Sequence, residues 1–172
     1  MKGGTEKNEH NCDALREAMA RYSKTVYRLA YARTRNRADA EDIYQEVFLR
    51  FAARCGDLES PEHQKAWLIR ATANLSVNLL RSAWRRHAVT SDMALEPEHP
   101  AAEGVSDRMN RALEALPARY RTVIHLFYFE DMHVDEIASA LGMKPATVRA
   151  QLTRGRDRLR KLLGATEREG GF

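Results

Sequence analysis

The sequence predicts an all-α protein built as two small helical domains joined by a flexible linker. Three observations lead there. Apolar residues recur at spacings of three and four along most of the chain, the period of a helix buried on one side. Strand-like alternation of apolar and polar residues is hard to find. One stretch, residues 87–106, breaks the pattern: it holds Asp92, Glu96, Glu98 and Glu103, two prolines and one glycine, and no Lys or Arg. A segment so polar and so acidic cannot build a core, so it reads as a tether. The expected domains are therefore 10–86 and 107–164, with 87–106 between them.

The first domain opens with Leu15, Met19, Tyr22, Val26, Leu29 and Arg33, one or two amphipathic helices ending near Arg35. A helix over 39–54 follows, with Ile43, Val47, Phe48 and Phe51 on its apolar stripe. Asp39, Glu41 and Asp42 crowd its first turn, where the helix dipole favours anions, and Gly56 sits after its last turn as a candidate C′ residue. Residues 56–65, with Ser60 before Pro61, read as a loop. A long helix over 63–86 turns Leu68, Ala71, Leu75 and Leu79 inward. In the second domain, helices are expected at 107–116, 119–129, 134–141 and 145–163, with Pro117 and Gly142 as the breaks.

Composition narrows the function classes. The chain has 172 residues, 44% hydrophobic and 30% charged, with a net charge of +4. Ordinary apolar content and few glycines and prolines exclude collagen-like, mucin-like and wholly disordered classes. No window approaches the roughly 18 uninterrupted apolar residues of a membrane span, and residues 1–11 lack the apolar core of a secretory signal. Cys12 and Cys55 are too few for a disulfide framework, so a reducing cytoplasm is the expected compartment. The six histidines show no metal-ligand spacing, and no phosphate-binding glycine loop, dinucleotide fingerprint or nucleophile elbow is present. No catalytic residue, metal or cofactor is expected.

The charges say more. Val134, Ile137, Ala138 and Leu141 make a short apolar face. Gly142 follows, then Lys144 and Pro145, then a helix with Val148, Leu152, Leu159 and Leu162 inward. A short helix, a glycine turn and a longer basic helix form a helix-turn-helix pattern. The second helix carries Arg149, Arg154, Arg156, Arg158, Arg160 and Lys161 against Asp157 alone, a net +5 that exceeds the charge of the whole chain. In a major groove such a helix pairs arginines with phosphates and offers Thr147, Arg149, Gln151 and Arg154 to base edges. A solvated basic face is the plain alternative, and the well-formed helix and turn before it count against that.

In the first domain, Asp42, Gln45, Glu46 and Leu49 share the outer face of the 39–54 helix. A leucine exposed beside carboxylates suits a docking surface, although on spacing alone an ordinary acidic face is the simpler reading. Trp67, Arg70, Asn74, Asn78, Arg81 and Arg85 share the non-core face of the next helix. Cations and amides beside an aromatic ring fit unstacked single-stranded bases. Trp67 fits equally well as a core residue.

Three motifs in order carry a family resemblance. Asp39 to Arg50 (DAEDIYQEVFLR) resembles the polymerase-binding helix in region 2 of bacterial sigma factors, and Trp67 to Asn74 (WLIRATAN) resembles the promoter-melting segment after it. Leu113 to Pro117 (LEALP), Glu136 to Ala138 (EIA) and Thr147 to Arg149 (TVR) are similar to region 4. With no room for further regions, the chain resembles the small extracytoplasmic-function (ECF) group of the sigma-70 family over about 15–163.

The resemblance implies a subunit that directs core RNA polymerase to promoters and helps melt the −10 element. It implies that Asp42, Gln45, Glu46 and Leu49 meet the clamp of the polymerase's largest subunit, with the flap as a further contact. It gives the loop 56–65 with Trp67, Arg70, Asn74, Asn78 and Arg81 to the −10 strand. The −35 duplex falls to Lys144, Thr147, Arg149, Gln151, Arg154 and Arg158. An anti-sigma factor is an implied partner, and membrane insertion is not expected. Tyr44 stands where the family commonly has an aliphatic residue, Asn78 where it has an acid, and His133 where it has a Ser or Thr cap. The competing reading is a helix-turn-helix regulator that binds DNA without polymerase, which leaves the Asp42 face without a task.

Overall fold

The computed structural model describes residues 3–58, 60–87 and 106–169, with side chains over 13–58, 60–79 and 106–164. The expected acidic linker therefore lies outside the described residues for nearly all its length. Within them the protein is helical, with no strand, and it divides into two compact units. The first contains α1 (Gly3–Thr34), α2 (Arg37–Ala52) and α3 (Pro61–His87). The second contains α4 (Asp107–Glu114), α5 (Ala118–Tyr128), most of α6 (Val134–Leu141) and α7 (Pro145–Glu169). Among the described residues, no helix is long and apolar enough to cross a membrane.

The first unit is a three-helix packing around one apolar cluster. Ala18, Tyr22, Val26 and Ala30 of α1 meet Ala40, Ile43, Val47, Phe48 and Phe51 of α2 and Leu68 of α3. Trp67, Ala71, Leu75 and Leu79 pack against this cluster from α3, as their spacing predicts. Phe51 is wholly buried, and truncating so large a buried ring costs about 3–5 kcal/mol in typical cores. Arg33, at the end of the α1 stripe, is buried too. Loss of solvent lowers its pKa, yet a guanidinium starts so high that it stays charged.

Several boundaries differ from the sequence reading. The first segment is one continuous helix from Gly3, since its polar start carries no periodic signal but does not oppose a helix. Helix α2 begins at Arg37 because Asn36 caps it: the Asn36 side chain accepts the Asp39 amide at 3.0 Å. The turn before it needs no glycine, because Arg35 takes the left-handed conformation (φ 56°). Gly56 is not a C′ residue. Helix α2 ends at Ala52, and Gly56 lies inside a 3₁₀ turn, Cys55–Asp57. Nor is 56–65 all loop: α3 starts at Pro61, with the Ser60 hydroxyl accepting the His63 amide at 3.2 Å. Ser-Pro is a helix start as readily as a turn.

In the second unit, Tyr120, Val123, Ile124 and Leu126 of α5 are buried with Ile137 and Ala138 of α6 and Val148 and Leu152 of α7. Gly142 takes the left-handed conformation expected of it (φ 65°), and the Met143 amide reaches back to Ala138 O at 2.8 Å. That is a Schellman-type helix end. His133 leaves α6 without a hydroxyl at the cap, but Glu136 supplies the reciprocal half of a capping box, its carboxylate accepting the His133 amide at 2.7 Å. Arg121, buried, donates to Glu114 O at 2.7 Å and so satisfies the end of α4.

Helices α5 and α7 cross at Gly155. A Cβ there would lie 2.7 Å from Ile124 Cδ1 and 3.3 Å from Tyr120 Cβ. Ile124 is itself buried, so its methyl has little room to withdraw. Gly155→Ala gains about 1 kcal/mol of helix propensity, but overpacking a tight core costs about 1–3 kcal/mol. The expected outcome is a net loss of about 1 kcal/mol confined to the second unit. Hydrogen exchange should show faster amide opening in α5 and α7 of the variant, with α1–α3 unchanged.

Candidate docking and nucleic-acid interfaces

On α2, burying Ile43, Val47 and Phe51 leaves the opposite side to solvent. Asp42, Gln45 and Leu49 are exposed there, Leu49 at 69%, the most exposed large apolar residue described. Glu46 is half-buried and bonds Arg50 at 2.6 Å, an i,i+4 pair of the modest kind worth a few tenths of a kcal/mol. Asp42 has no ion pair among the described residues. The four residues are thus brought together as one face: an unpaired carboxylate, an amide and an uncovered leucine, with one compensated acid at its edge. Tyr44 is turned away from it. Its ring lies 4.9 Å from that of Phe48, and its hydroxyl is 3.0 Å from Ser23 Oγ on α1, a polar bridge between α2 and α1.

On α3, Arg70, Asn74 and Asn78 are exposed on a common side at helical spacing. Trp67 belongs partly to the core, its ring 5.8 Å from that of Phe51 at 56°. The core alternative left open by the sequence is therefore realised for one side of that ring. The side chain of Arg81 lies outside the described residues, as does that of Arg85.

The segment leading into α3 is held at three points. Cys55 is buried and carries its thiol toward Ala52 O, Gln64 Nε2 donates to Leu58 O at 3.4 Å, and the buried Tyr22 hydroxyl of α1 donates to Pro61 O at 2.9 Å. Gly56, Asp57, Glu62 and His63 face solvent around these anchors. The Glu62 carboxyl is held below its ordinary pKa by its own backbone amide and the Ser60 hydroxyl, so it is anionic at neutral pH.

On α7, Val148, Leu152 and Gly155 face inward. Lys144, Thr147, Arg149, Arg154 and Arg158 are exposed and Gln151 is half-buried, so all six predicted residues reach the surface of one helix and its leading turn. The cations are not equivalent. Arg160 pairs with Asp157 at 2.9 Å. Arg156 donates from Nε to the Tyr128 hydroxyl at 2.9 Å and lies over the Phe127 and Tyr128 rings. Arg158 lies over the Tyr120 ring. Arg149 and Arg154 have no side-chain partner among the described residues, and both stand in the N-terminal half of α7. Thr153, small and exposed, donates to its own helix at Arg149 O, 3.0 Å away.

No group of three or more potential metal ligands occurs among the described residues. The structure also reveals supports that sequence motifs do not mark. Tyr22 and Gln64 fix the approach to α3. Only their hydrogen bonds in the folded structure identify them.

Comparison with known proteins agrees with this division. Residues 18–86 match the family model "Sigma-70 region 2", and 106–159 match "Sigma-70, region 4". The chain is 33% identical over 156 residues to the "ECF RNA polymerase sigma factor SigE" of Mycolicibacterium smegmatis, aligning 86% of this chain with 60% of the relative. It is 31% identical over 147 residues to the "ECF RNA polymerase sigma factor SigL" of Mycobacterium tuberculosis, covering 80% of this chain and 82% of that one. The chain thus spans less than two thirds of SigE but most of SigL. In structure it resembles the sigma factor RpoE of Bartonella quintana, solved with the anti-sigma factor NepR. The TM-score is 0.73 at 24% identity, over 87% of this chain and 96% of that one, a likeness of fold. With region 2 in α1–α3, region 4 in α4–α7, and relatives of this identity, the chain belongs to the sigma-70 family, in its ECF group.

Proposed function

We propose that this chain is a dissociable initiation subunit that directs bacterial core RNA polymerase to specific promoters, making and breaking no bond itself. The observation that carries the reading is the pairing, in one chain, of an uncovered Leu49–Asp42–Gln45 face on α2 with an unpartnered Arg149–Arg154 pair on α7. The first face docks on the clamp of the polymerase's largest subunit, with Glu46 at its rim; the second unit reaches toward the flap. The exposed side of α3, with Arg70, Asn74 and Asn78 and with Trp67 and Arg81, takes the melted −10 strand. Lys144, Thr147, Arg149, Gln151, Arg154 and Arg158 take the −35 duplex.

Physical chemistry supports this assignment of tasks. A flat acidic and apolar face suits a protein partner, where an exposed leucine gains from leaving water. A basic helix with two uncommitted guanidiniums suits phosphates and guanine edges. The domains 10–86 and 107–164 joined by the acidic segment 87–106 allow both contacts at once, and linkage makes the second contact effectively intramolecular. Extruding a base from the −10 stack costs a few kcal/mol, so selectivity arises where a fixed pocket compensates the right base. The segment between α2 and α3, with its anchors at Cys55, Gln64 and Tyr22, is assigned that task. An anti-sigma factor that covers these faces is part of the proposal, since RpoE of Bartonella quintana, whose fold this chain shares, has been solved with such a partner.

Two outcomes are expected. Core polymerase plus this chain should start transcription at a promoter that neither uses alone. Asp42→Arg combined with Gln45→Ala should reduce that initiation at least tenfold without altering the helical circular dichroism of the free chain. Unchanged initiation by the double variant would defeat the docking assignment. In duplex binding by the polymerase complex, Arg149→Ala and Arg154→Ala should each weaken affinity. A phosphate contact should lower the log–log salt slope by about 0.9, whereas a base contact should cost about 1–3 kcal/mol of discrimination at one position with the slope intact.

A further inference from the structure

Arg119 belongs to none of the motifs or faces above. It is exposed near the start of α5, its guanidinium carbon 4.7 Å from the centre of the Tyr120 ring and its Nη2 donating to the Tyr120 hydroxyl at 3.0 Å. Arg158, from α7, approaches the same ring at 5.4 Å. Tyr120 is only 3% exposed, so the two cations lie against a buried platform while remaining open to solvent themselves. Their guanidiniums are at most about 10 Å apart, roughly one Debye length at 0.1 M salt, and still repel each other. Neither has a carboxylate partner among the described residues.

The ring attracts each cation without neutralising either. Its contact and the Arg119 hydrogen bond also restrict rotation of side chains that would otherwise be mobile. Two exposed guanidiniums held in place without a counter-charge make an anion site, and the planar fork of arginine matches the oxygens of a phosphate. The anion follows from position. Arg158 comes one turn after Arg154 on the helix that carries Thr147 and Arg149, so the site continues the basic track of α7.

We propose that Arg119 and Arg158, seated on Tyr120, clamp a backbone phosphate of the duplex bound by α7, outside the stretch read by Thr147, Arg149 and Arg154. The proposal rests on the −35 reading. It adds to that reading a contact from α5, a helix outside the helix-turn-helix. It is a positioning contact: it holds the duplex in register and carries no sequence information.

The test uses the full chain bound to core RNA polymerase and the duplex which that complex selects from a random pool. Affinity is measured across a range of KCl concentrations. Arg119→Ala and Arg158→Ala should each reduce the magnitude of the log–log salt slope by part of the roughly 0.9 that one neutralised phosphate contributes, and the double variant by about the whole 0.9. Arg119→Lys should keep most of the slope. The ranking of competing duplexes should not change in any of them. Unaltered amide exchange in α5 and α7 separates loss of the contact from loss of the fold. Equal slopes for the unsubstituted chain and both alanine variants, with duplex still bound, would overturn the clamp alone. Failure of the unsubstituted complex to bind any duplex would overturn the −35 reading and the clamp together.

Discussion

One-sided burial of short helices is the constraint on which the rest of this protein depends. Neither unit is large, and each is held by the apolar residues that its helices bury. In the first, Phe51 of α2 is enclosed by α1 and α3; in the second, Gly155 lets α5 and α7 cross closely enough to enclose Ile124. With each helix committed to the core along one stripe, the opposite stripe is free to carry charge or apolar surface at little cost to stability. That partition sets Leu49 in water on the far side of α2 from Val47, and Arg154 in water on the far side of α7 from Leu152. A weakened core would blur both faces, because both are defined by what lies behind them.

The polar anchors serve the same end. Tyr22, Gln64 and the buried Cys55 fix the passage from α2 to α3, and Arg121 closes the end of α4. The Arg108 guanidinium bonds the Leu163 carbonyl, fastening α4 to the far part of α7. Two of these bonds, Tyr22 to Pro61 and Arg108 to Leu163, join residues far apart in sequence, and the others act locally. Each is worth about 1 kcal/mol net, but together they determine where the exposed groups stand. Electrostatics then divides the tasks: an acidic and apolar face on α2, amides and a cation on α3, and uncommitted arginines on α7.

Much of this was legible in the sequence because helical period and charge are local signals. The stripes of α2, α3, α6 and α7 follow their spacing, and Gly142 takes the left-handed turn that its place between two helices demands. The misreadings have physical causes. Asn36 and Asp39 form a cap that sits ahead of the first apolar residue, so periodicity alone starts α2 too late. Ser60-Pro61 reads as a loop in the sequence because the pair serves turns and helix starts alike; the hydroxyl-to-amide bond to His63 decides for the helix. Gly56 follows a helix without ending it, since a 3₁₀ turn intervenes. For the candidate faces, the sequence indicated which residues share a side. It had no means of showing that Arg156, Arg158 and Arg160 are already engaged with Tyr128, Tyr120 and Asp157, whereas Arg149 and Arg154 are not. Nor did any motif mark Arg119, whose relation to Arg158 exists only once α5 and α7 have packed.

The central claim is a division of labour between α2 and α7, and site-specific photocross-linking tests it most directly. A photoreactive residue in place of Leu49 should label the largest subunit of core RNA polymerase whether or not promoter DNA is present. The same residue in place of Thr147 should label duplex DNA in the assembled complex and leave that subunit unlabelled. Labelling of DNA from position 49, or of the largest subunit in preference to DNA from position 147, would contradict the account.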